Sequence, residues 1–269
     1  MNTVNAIDMH AVGSNKNSGR KIALITGGSR GLGKSAALHL ARQGVDVIVT
    51  YQSQQQDAQA VVSQIEAIGG RAVALAFDVA QIASFPRFVQ NLRQVLATHW
   101  QREQLDFLVN NAGIGIHTAF ADTTEAQFDQ LMQIHFKGVF FLTQALLPLI
   151  ADGGRILNVS TGLSRFTLPG FSAYAAMKGA IEVLSRYLAK ELGARGIGVN
   201  VIAPGAIETD FGHAAVRDNP KMNQFVASQT ALGRAGLPDD IGAAVASLLA
   251  GDMAWVNGQR IEASGGMFL

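Results

Sequence analysis

The chain alternates short apolar runs with longer stretches of helical periodicity, and this alternation limits the folds that are open to it. The strand-like runs are Lys21–Thr26, Val45–Thr50, Arg71–Phe77, Leu105–Val109, Arg155–Val159, Ile197–Ile202 and Gln259–Glu262. Helical patterns fill the intervals between most of them. Strands that are apolar throughout and separated by helices are typical of a parallel sheet covered on both faces. The pattern therefore predicts an α/β fold.

Crossovers between parallel strands are right-handed. This rule favours a single Rossmann-type doubly wound parallel sheet with helices on both faces. No break in composition divides residues 20–269, so we predict one domain there. Residues 1–19 lack the basic start and apolar block of a signal peptide, and their Asn, Ser and Gly content predicts a flexible leader. Residues 207–232 show no clear strand, contain Gly212 and Pro220, and are predicted to form a mobile lid.

Composition excludes several classes of function. The 21 basic and 20 acidic residues leave a net charge of +1, so neither nucleic acid nor acidic lipid is expected as a partner. The chain has no cysteine, which suits a reducing cytoplasm and removes thiolate chemistry. No apolar run reaches the roughly 18 residues that span a bilayer. The histidines share no ligand spacing with acidic residues, so no metal site is predicted.

A glycine-rich loop follows the first predicted strand and leads into a helix. It reads Thr26-Gly27-Gly28-Ser29-Arg30-Gly31-Leu32-Gly33. Glycines at 27, 31 and 33 allow a tight turn and a close approach of a pyrophosphate to the helix N-terminus. This spacing resembles that of the short-chain dehydrogenase/reductase family.

The resemblance extends over nearly the whole chain from Lys21. The matching motifs are Asp78-Val79, Asn110-Asn111-Ala112-Gly113, Tyr174-x3-Lys178 and Pro204-Gly205 with Thr209. The resemblance implies a nicotinamide cofactor and a single dinucleotide-binding catalytic domain. The implied cofactor-binding residues are Gly27, Ser29, Arg30, Gly31, Leu32, Gly33, Tyr51, Asp78, Val79, Asn111, Ala112, Gly113, Tyr174, Lys178, Pro204, Gly205, Ile207 and Thr209.

The end of the second predicted strand favours NADP(H) over NAD(H). Family members that prefer NAD carry an acid there, whereas this chain has no carboxylate from Val49 until Asp57. A carboxylate would repel the 2′-phosphate of NADP, so its absence permits that cofactor. Arg30 supplies a guanidinium that can bind a phosphate through charge-assisted hydrogen bonds.

Tyr174 and Lys178 are four residues apart in a helical pattern and share one face. A nearby lysine cation, together with the positive ring of an oxidised nicotinamide, is expected to lower the pKa of the tyrosine towards working pH. The family's serine lies thirteen residues before the tyrosine, which here is Thr161, with Ser160 as the alternative. The family's asparagine is replaced by His135, for which either a proton relay or a packing role is open.

These residues predict an oxidoreductase that transfers a hydride between NADP(H) and a carbonyl or secondary alcohol. Within the family, the chain resembles 3-oxoacyl-carrier-protein reductases, but the sequence does not assign it that substrate, because an acidic carrier protein usually meets a basic patch that one sequence does not reveal. The alternatives are an NAD-dependent alcohol or steroid dehydrogenase and a nicotinamide-binding protein with little turnover. An apolar or acyl ketone is favoured, because the expected pocket is apolar: Gly115, Ile116, Phe166, Leu168, Phe171, Phe211 and Met222.

The helices predicted at Glu125–Ile150 and Ser172–Glu191 are more apolar than one buried face requires. In the family that the chain resembles, these helices pair across a two-fold axis. We therefore expect a homodimer or a homotetramer.

Overall fold

The computed structural model describes residues 19–269, and the predicted leader at 1–19 lies outside them except for Gly19. The strands of this part are β1 (Ile22–Ile25), β2 (Asp46–Tyr51), β3 (Ala72–Ala76), β4 (Leu105–Asn110), β5 (Ile150–Val159), β6 (Gly198–Pro204) and β7 (Arg260–Ala263). They form one sheet in the order β3-β2-β1-β4-β5-β6-β7. Every neighbouring pair is parallel. The predicted doubly wound parallel sheet is confirmed.

Helices cover both faces of the sheet. They are α1 (Gly31–Arg42), α2 (Gln55–Ala67), α3 (Phe85–Trp100), α4 (Glu125–Met132), α5 (Gly138–Leu146), α6 (Ser172–Glu191), α7 (Ala215–Asp218), α8 (Pro220–Ser228) and α9 (Pro238–Ala250). Residues of α1, α2 and α9 pack on one face of the sheet, and residues of α3, α5 and α6 pack on the other. Alternate residues of β1 enter the two cores, as the two-residue period of a strand requires. No helix of the described part is both long and apolar enough to cross a membrane.

The structure differs from the predicted elements in three places. Strand β5 begins at Ile150, five residues before the predicted start, because Ile150 pairs with Leu105 ahead of a shift in register. The predicted helix at 125–150 contains a π-helical turn at Gln133–Lys137 between α4 and α5. The segment 207–232 was predicted without regular structure, but it contains α7 and α8. Asn219 starts α8 by accepting hydrogen bonds from two backbone amides of its first turn.

The strand order reverses between β1 and β4, and the loops that follow these two strands meet at one edge of the sheet. Ligands of open α/β sheets bind at the carboxyl ends of the strands at such a switch point. The glycine-rich loop and the Asn111 loop both lie there, so the fold places the predicted cofactor residues at one edge.

Candidate active site

The backbone of the glycine-rich loop between β1 and α1 is packed so closely against its neighbours that several positions have no room for a side chain. A Cβ on Gly27 would lie 3.0 Å from Ala112 Cα, and one on Gly33 would collide with the Gly27 carbonyl oxygen. Gly28, which the sequence analysis did not select, is equally constrained, since its Cβ would lie 2.7 Å from Val49 Cβ. Among the residues that the structure describes, no side chain caps the N-terminus of α1. Its first amides can therefore receive an anionic pyrophosphate, so the residues present fit a dinucleotide.

The Asn111 loop is fastened to the glycine loop by hydrogen bonds. The side-chain amide of Asn111 donates to Thr26 O at 2.8 Å and to Gly27 O at 3.1 Å. The Thr26 hydroxyl accepts from the backbone amides of Asn111 and Ala112, both at 3.0 Å. Asn111 thus shapes the site rather than presenting its side chain to a ligand. Thr26 is a site residue that sequence reasoning missed.

The outer rim of the site is formed where β2 and β3 end. Tyr51 is half-buried at the end of β2. Asp78 accepts hydrogen bonds from the Gln52 side chain at 3.0 Å and from Ala80 N at 2.9 Å, which fix its carboxylate at the rim. The Val79 carbonyl packs so closely on Gly138 that a Cβ there would collide with it.

Arg30 lies at the mouth of the glycine loop with its guanidinium largely in solvent. Its side chain is 62% exposed, and its one ion-pair contact among the described residues is with Asp210, at 3.9 Å. Asp210 also pairs with Arg217. No carboxylate stands at the end of β2. Arg30 can therefore turn towards a phosphate without breaking a strong contact.

Tyr174 and Lys178 lie on the buried face of α6, where only 6% and 5% of their surfaces are exposed. The Lys178 ammonium donates a 2.6 Å hydrogen bond to Val159 O, the last residue of β5. It lies 5.8 Å from the centre of the Tyr174 ring. The structure thus places Tyr174 and Lys178 of α6 against the carboxyl end of β5, beside the Asn111 loop.

Burial dominates the acid–base properties of this pair. It raises the pKa of Tyr174 above its usual value, while a hydrogen-bonding interaction with Thr161 acts in the opposite direction. Burial lowers the pKa of Lys178 to about 8. The lysine alone does not lower the pKa of the tyrosine as expected from the sequence, because burial of the phenol outweighs its hydrogen bond with Thr161. The phenol is neutral and retains its proton.

Thr161 and Ser160 are neighbours in extended backbone, and their side chains serve different partners. Thr161 has φ −159° and ψ 155°, so the two side chains point in opposite directions. The Ser160 hydroxyl donates to Glu182 Oε1 at 2.7 Å. The Thr161 hydroxyl accepts a hydrogen bond from Leu163 N at 3.3 Å, and it lowers the pKa of the Tyr174 phenol. This placement favours Thr161 as the hydroxyl beside the tyrosine.

His135 lies in the π-helical turn and is 1% exposed. Its Nε2 is 2.8 Å from the Ile114 carbonyl oxygen, and its ring stands edge-on to the Tyr174 ring at 5.1 Å. Burial and the Lys178 charge lower the pKa of His135 to about 3, against the hydrogen bond to Ile114. Because protonation of His135 is this unfavourable, we favour a structural role, in which the imidazole holds the Ile114 backbone, over a role as a proton relay. π-helical turns are frequent at functional sites.

The segment that follows β6 lies beside the glycine loop and the end of β7. Pro204 ends the strand, and Gly205 N donates to Ala263 O at 3.2 Å. Ile207 forms an isolated bridge with Gly236. Thr209 is buried, and a Cβ on Gly31 of the glycine loop would lie 3.7 Å from its methyl carbon.

Aromatic rings surround Tyr174 on the substrate side. The Phe211 ring lies 5.7 Å from Tyr174, and the Phe171 ring lies 6.5 Å from it. A Cβ on Gly115 would meet the Phe211 ring at 2.9 Å. Phe166, predicted to line the pocket, instead packs against Phe268 at 4.8 Å.

Two further predicted pocket residues have different surroundings. Ile116 lines a small cavity beside Tyr174, together with residues of the 118–123 segment. Met222 lies on α8 with 41% of its surface exposed.

Within residues 19–269, no group of three or more acidic or histidine side chains is arranged to hold a metal ion.

Residues 27–268 match a family profile described as enoyl-(acyl carrier protein) reductase. An uncharacterized oxidoreductase of Methylorubrum extorquens is 39% identical over 92% of this chain and 97% of its own. A hydroxynaphthalene reductase-like protein of Metarhizium brunneum is 35% identical over 91% of this chain and 94% of its own. The solved structure of the angucycline C-6 ketoreductase LanV with bound NADP is 34% identical. It superposes with a TM-score of 0.87 over 92% of this chain and 95% of the other.

Proposed function

The chain belongs to the short-chain dehydrogenase/reductase family, and we propose roles for its residues in the reaction of that family. It is an NADP(H)-dependent oxidoreductase acting between a carbonyl and a secondary alcohol. The observation that carries the proposed roles is the convergence of Tyr174, Thr161 and Lys178 at the edge of the sheet that holds the glycine loop.

Tyr174 is the proton donor of the proposed mechanism. When bound, NADPH supplies the hydride that a carbonyl carbon accepts, and the carbonyl oxygen then needs a proton. Burial keeps the Tyr174 phenol protonated, so it can donate to that oxygen. The transfer leaves a phenolate, and the Lys178 ammonium beside the ring stabilises that charge.

Thr161 orients and polarises the carbonyl oxygen by donating a hydrogen bond to it. Its hydroxyl interacts with the phenol, so both donors can converge on one oxygen. His135 supports this arrangement from behind, because its ring contacts Tyr174 and its Nε2 holds Ile114. Lys178 anchors the cofactor's ribose in this proposal, and the glycine loop receives its pyrophosphate.

We propose that the substrate is a cyclic aromatic ketone rather than a linear 3-oxoacyl group. The rings of Phe171 and Phe211 lie 6.5 and 5.7 Å from the Tyr174 ring, and flat aromatic molecules stack well on such rings. One relative is named as a hydroxynaphthalene reductase-like protein, and one structural neighbour as an angucycline ketoreductase.

A panel of ketones tests this assignment. NADPH oxidation is measured with 1-tetralone and its hydroxylated forms and with linear 3-oxoacyl thioesters, at equal concentrations. We expect faster turnover of the bicyclic ketones. Preference for the thioesters would reverse the substrate assignment. Cofactor binding without turnover of any ketone would instead support a nicotinamide-binding protein.

The segment 207–232 is proposed to act as a lid over the cofactor. Its start contacts the glycine loop through Thr209 and approaches Arg30 through Asp210, while Phe211 covers Tyr174. A bound cofactor should therefore order it. Amide exchange in this segment should slow when NADP(H) is added, and unchanged exchange at saturation would contradict the lid.

We propose assembly through the outer faces of α5 and α6. A groove between α6 and the π-helical turn that precedes α5 is lined by Phe136, Ala180, Val183, Leu184 and Tyr187. Apolar side chains remain exposed on it, including 46% of Val183. Such a surface is rarely left in water, and a second copy of the chain covers it symmetrically.

Light scattering at micromolar concentration should therefore give at least the mass of a dimer, and the family's pattern predicts the mass of a tetramer. Val183→Asp should lower that mass by placing a charge in the apolar contact. A monomeric mass of the unchanged protein would rule out this assembly.

A cytoplasmic location is likewise proposed, since the chain lacks cysteine, and cell fractionation would test it.

A further inference from the structure

A carboxylate and an arginine lie directly behind the loop that carries Thr161. Glu182 Oε1 accepts hydrogen bonds from the Ser160 hydroxyl at 2.7 Å and from the Ser164 hydroxyl at 2.6 Å. It also accepts from Arg260 Nε at 2.8 Å. The side chains of Glu182 and Arg260 are only 14% and 23% exposed. Glu182 of α6 and Arg260 of β7 are therefore hydrogen-bonded to each other, and Glu182 is bonded to residues on both sides of Thr161 in the sequence.

Arg260 also holds the backbone of Thr161 itself. One terminal nitrogen of its guanidinium donates to Thr161 O at 3.1 Å, and the other donates to Glu262 Oε2 at 2.9 Å. A planar guanidinium can make these bonds together with the bond to Glu182 because its donors form a rigid fork. A lysine ammonium in this place lacks that geometry.

A second arginine closes the network from the loop side. Arg165 binds both carboxylate oxygens of Glu262, at 2.8 and 2.7 Å. It also donates to Met267 O at 2.7 Å, in the C-terminal tail. The hydrogen bonds from Arg165 hold the pKa of Glu262 down to about 2, despite partial burial. Glu262 therefore remains charged at any working pH, and the network remains intact.

The network acts on the two hydroxyls in different ways. The Ser160 hydroxyl is held by Glu182, so it is turned away from Tyr174. The Thr161 carbonyl is held by Arg260, and its hydroxyl accepts from Leu163 N at 3.3 Å. Because Thr161 has extended backbone, this hydroxyl points to the side opposite Ser160, where it lowers the pKa of the Tyr174 phenol. A displacement of that carbonyl would move the hydroxyl as well, because both belong to one residue with extended backbone.

We propose that Arg260 and Glu182 are positioning residues, which hold the Thr161 hydroxyl against Tyr174 and keep Ser160 out of the reaction. This inference rests on the role proposed above for Thr161. Neither residue touches the reacting atoms. Misplacement of a reacting group by about 1 Å can cost roughly a hundredfold in rate, so a loosened loop is enough to slow turnover.

A double-mutant cycle between Arg260 and Thr161 tests this. Arg260→Met should lower kcat by about tenfold or more and change KM for NADPH by less than about twofold. In a Thr161→Ala background the same change should lower kcat by less than about twofold, because the hydroxyl that Arg260 positions is gone. Arg260→Lys, which keeps the charge, should lose activity like Arg260→Met if the fork geometry matters.

Arg195→Met is the matched control. Arg195 pairs with Asp152 and donates to the carbonyls of Leu147 and Ile150, so it makes a similar set of bonds at the opposite end of β5. It should leave kcat unchanged at a temperature where the protein is folded. Circular dichroism of each variant shows that the fold is retained, and Arg260→Lys takes the place of Arg260→Met in the cycle if the latter does not fold.

The outcomes separate the inference from the proposed function. Equal fold losses on removing Arg260 in both backgrounds would overturn the positioning role, while a slowed Thr161→Ala variant would leave the proposed function standing. If Thr161→Ala turns over as fast as the parent, the role of Thr161 fails and the inference fails with it. A loss from Arg260→Met that vanishes in the Thr161→Ala background supports the positioning role.

Discussion

Replacing Tyr174 with Phe should lower turnover by about 10²–10⁴-fold, the usual contribution of general acid–base catalysis. The change removes one hydroxyl and leaves the buried ring, which packs edge-on against His135 and near Phe211. Because the ring contacts remain, the fold and the binding of NADPH should change little. Initial rates of NADPH oxidation and the dissociation constant of NADPH measure the two quantities separately.

Tyr187→Phe provides a control on the same helix. Tyr187 is 65% exposed and lies in the outer groove, away from the buried face that carries Tyr174. Loss of its hydroxyl should leave turnover unchanged. If the Tyr174→Phe variant keeps turnover within about tenfold of the parent, Tyr174 is not the proton donor.

Replacing Arg30 with Ala should weaken NADPH binding by roughly tenfold to a hundredfold and NADH binding far less. A hydrogen bond to a charged group contributes about 1.5–3 kcal/mol, which corresponds to that range. The guanidinium is largely exposed and has one long contact to Asp210, so it is free to bind the 2′-phosphate that NADPH carries and NADH lacks. Titration of each cofactor by fluorescence gives the two dissociation constants.

Arg42→Ala is the control for this comparison. Arg42 is exposed in the last turn of the same helix, so its removal changes the net charge equally without touching the glycine loop. It should affect both cofactors little. An equal loss of NADPH and NADH affinity in Arg30→Ala would mean that Arg30 contacts the shared pyrophosphate or only shapes the loop.

The sequence by itself determined the parallel sheet and the edge of it at which the glycine loop lies. Strand and helix patterns are local, with periods of two and about 3.6 residues, so they can be recognised without knowing the contacts. The glycine loop was also evident, because glycine is the residue that such a close backbone approach demands. Gly28 was not singled out, since its constraint comes from Val49 on the neighbouring strand.

Sequence patterns also missed α7 and α8 and did not reveal the contacts around Thr161. The one available signal was Glu182, a charged residue four positions after Lys178 on a buried helix face.

Tertiary structure alone decided the partners of the two candidate hydroxyls. Ser160 and Thr161 are adjacent, and counting from the tyrosine favoured Thr161 but left Ser160 as the alternative. The choice depends on Glu182, 22 residues from Ser160, and on Arg260, 99 residues from Thr161. Adjacent side chains of an extended chain point to opposite sides, so the network that holds one of them leaves the other facing Tyr174. Such a choice is set by long-range hydrogen bonds and burial, which no local pattern in the sequence records.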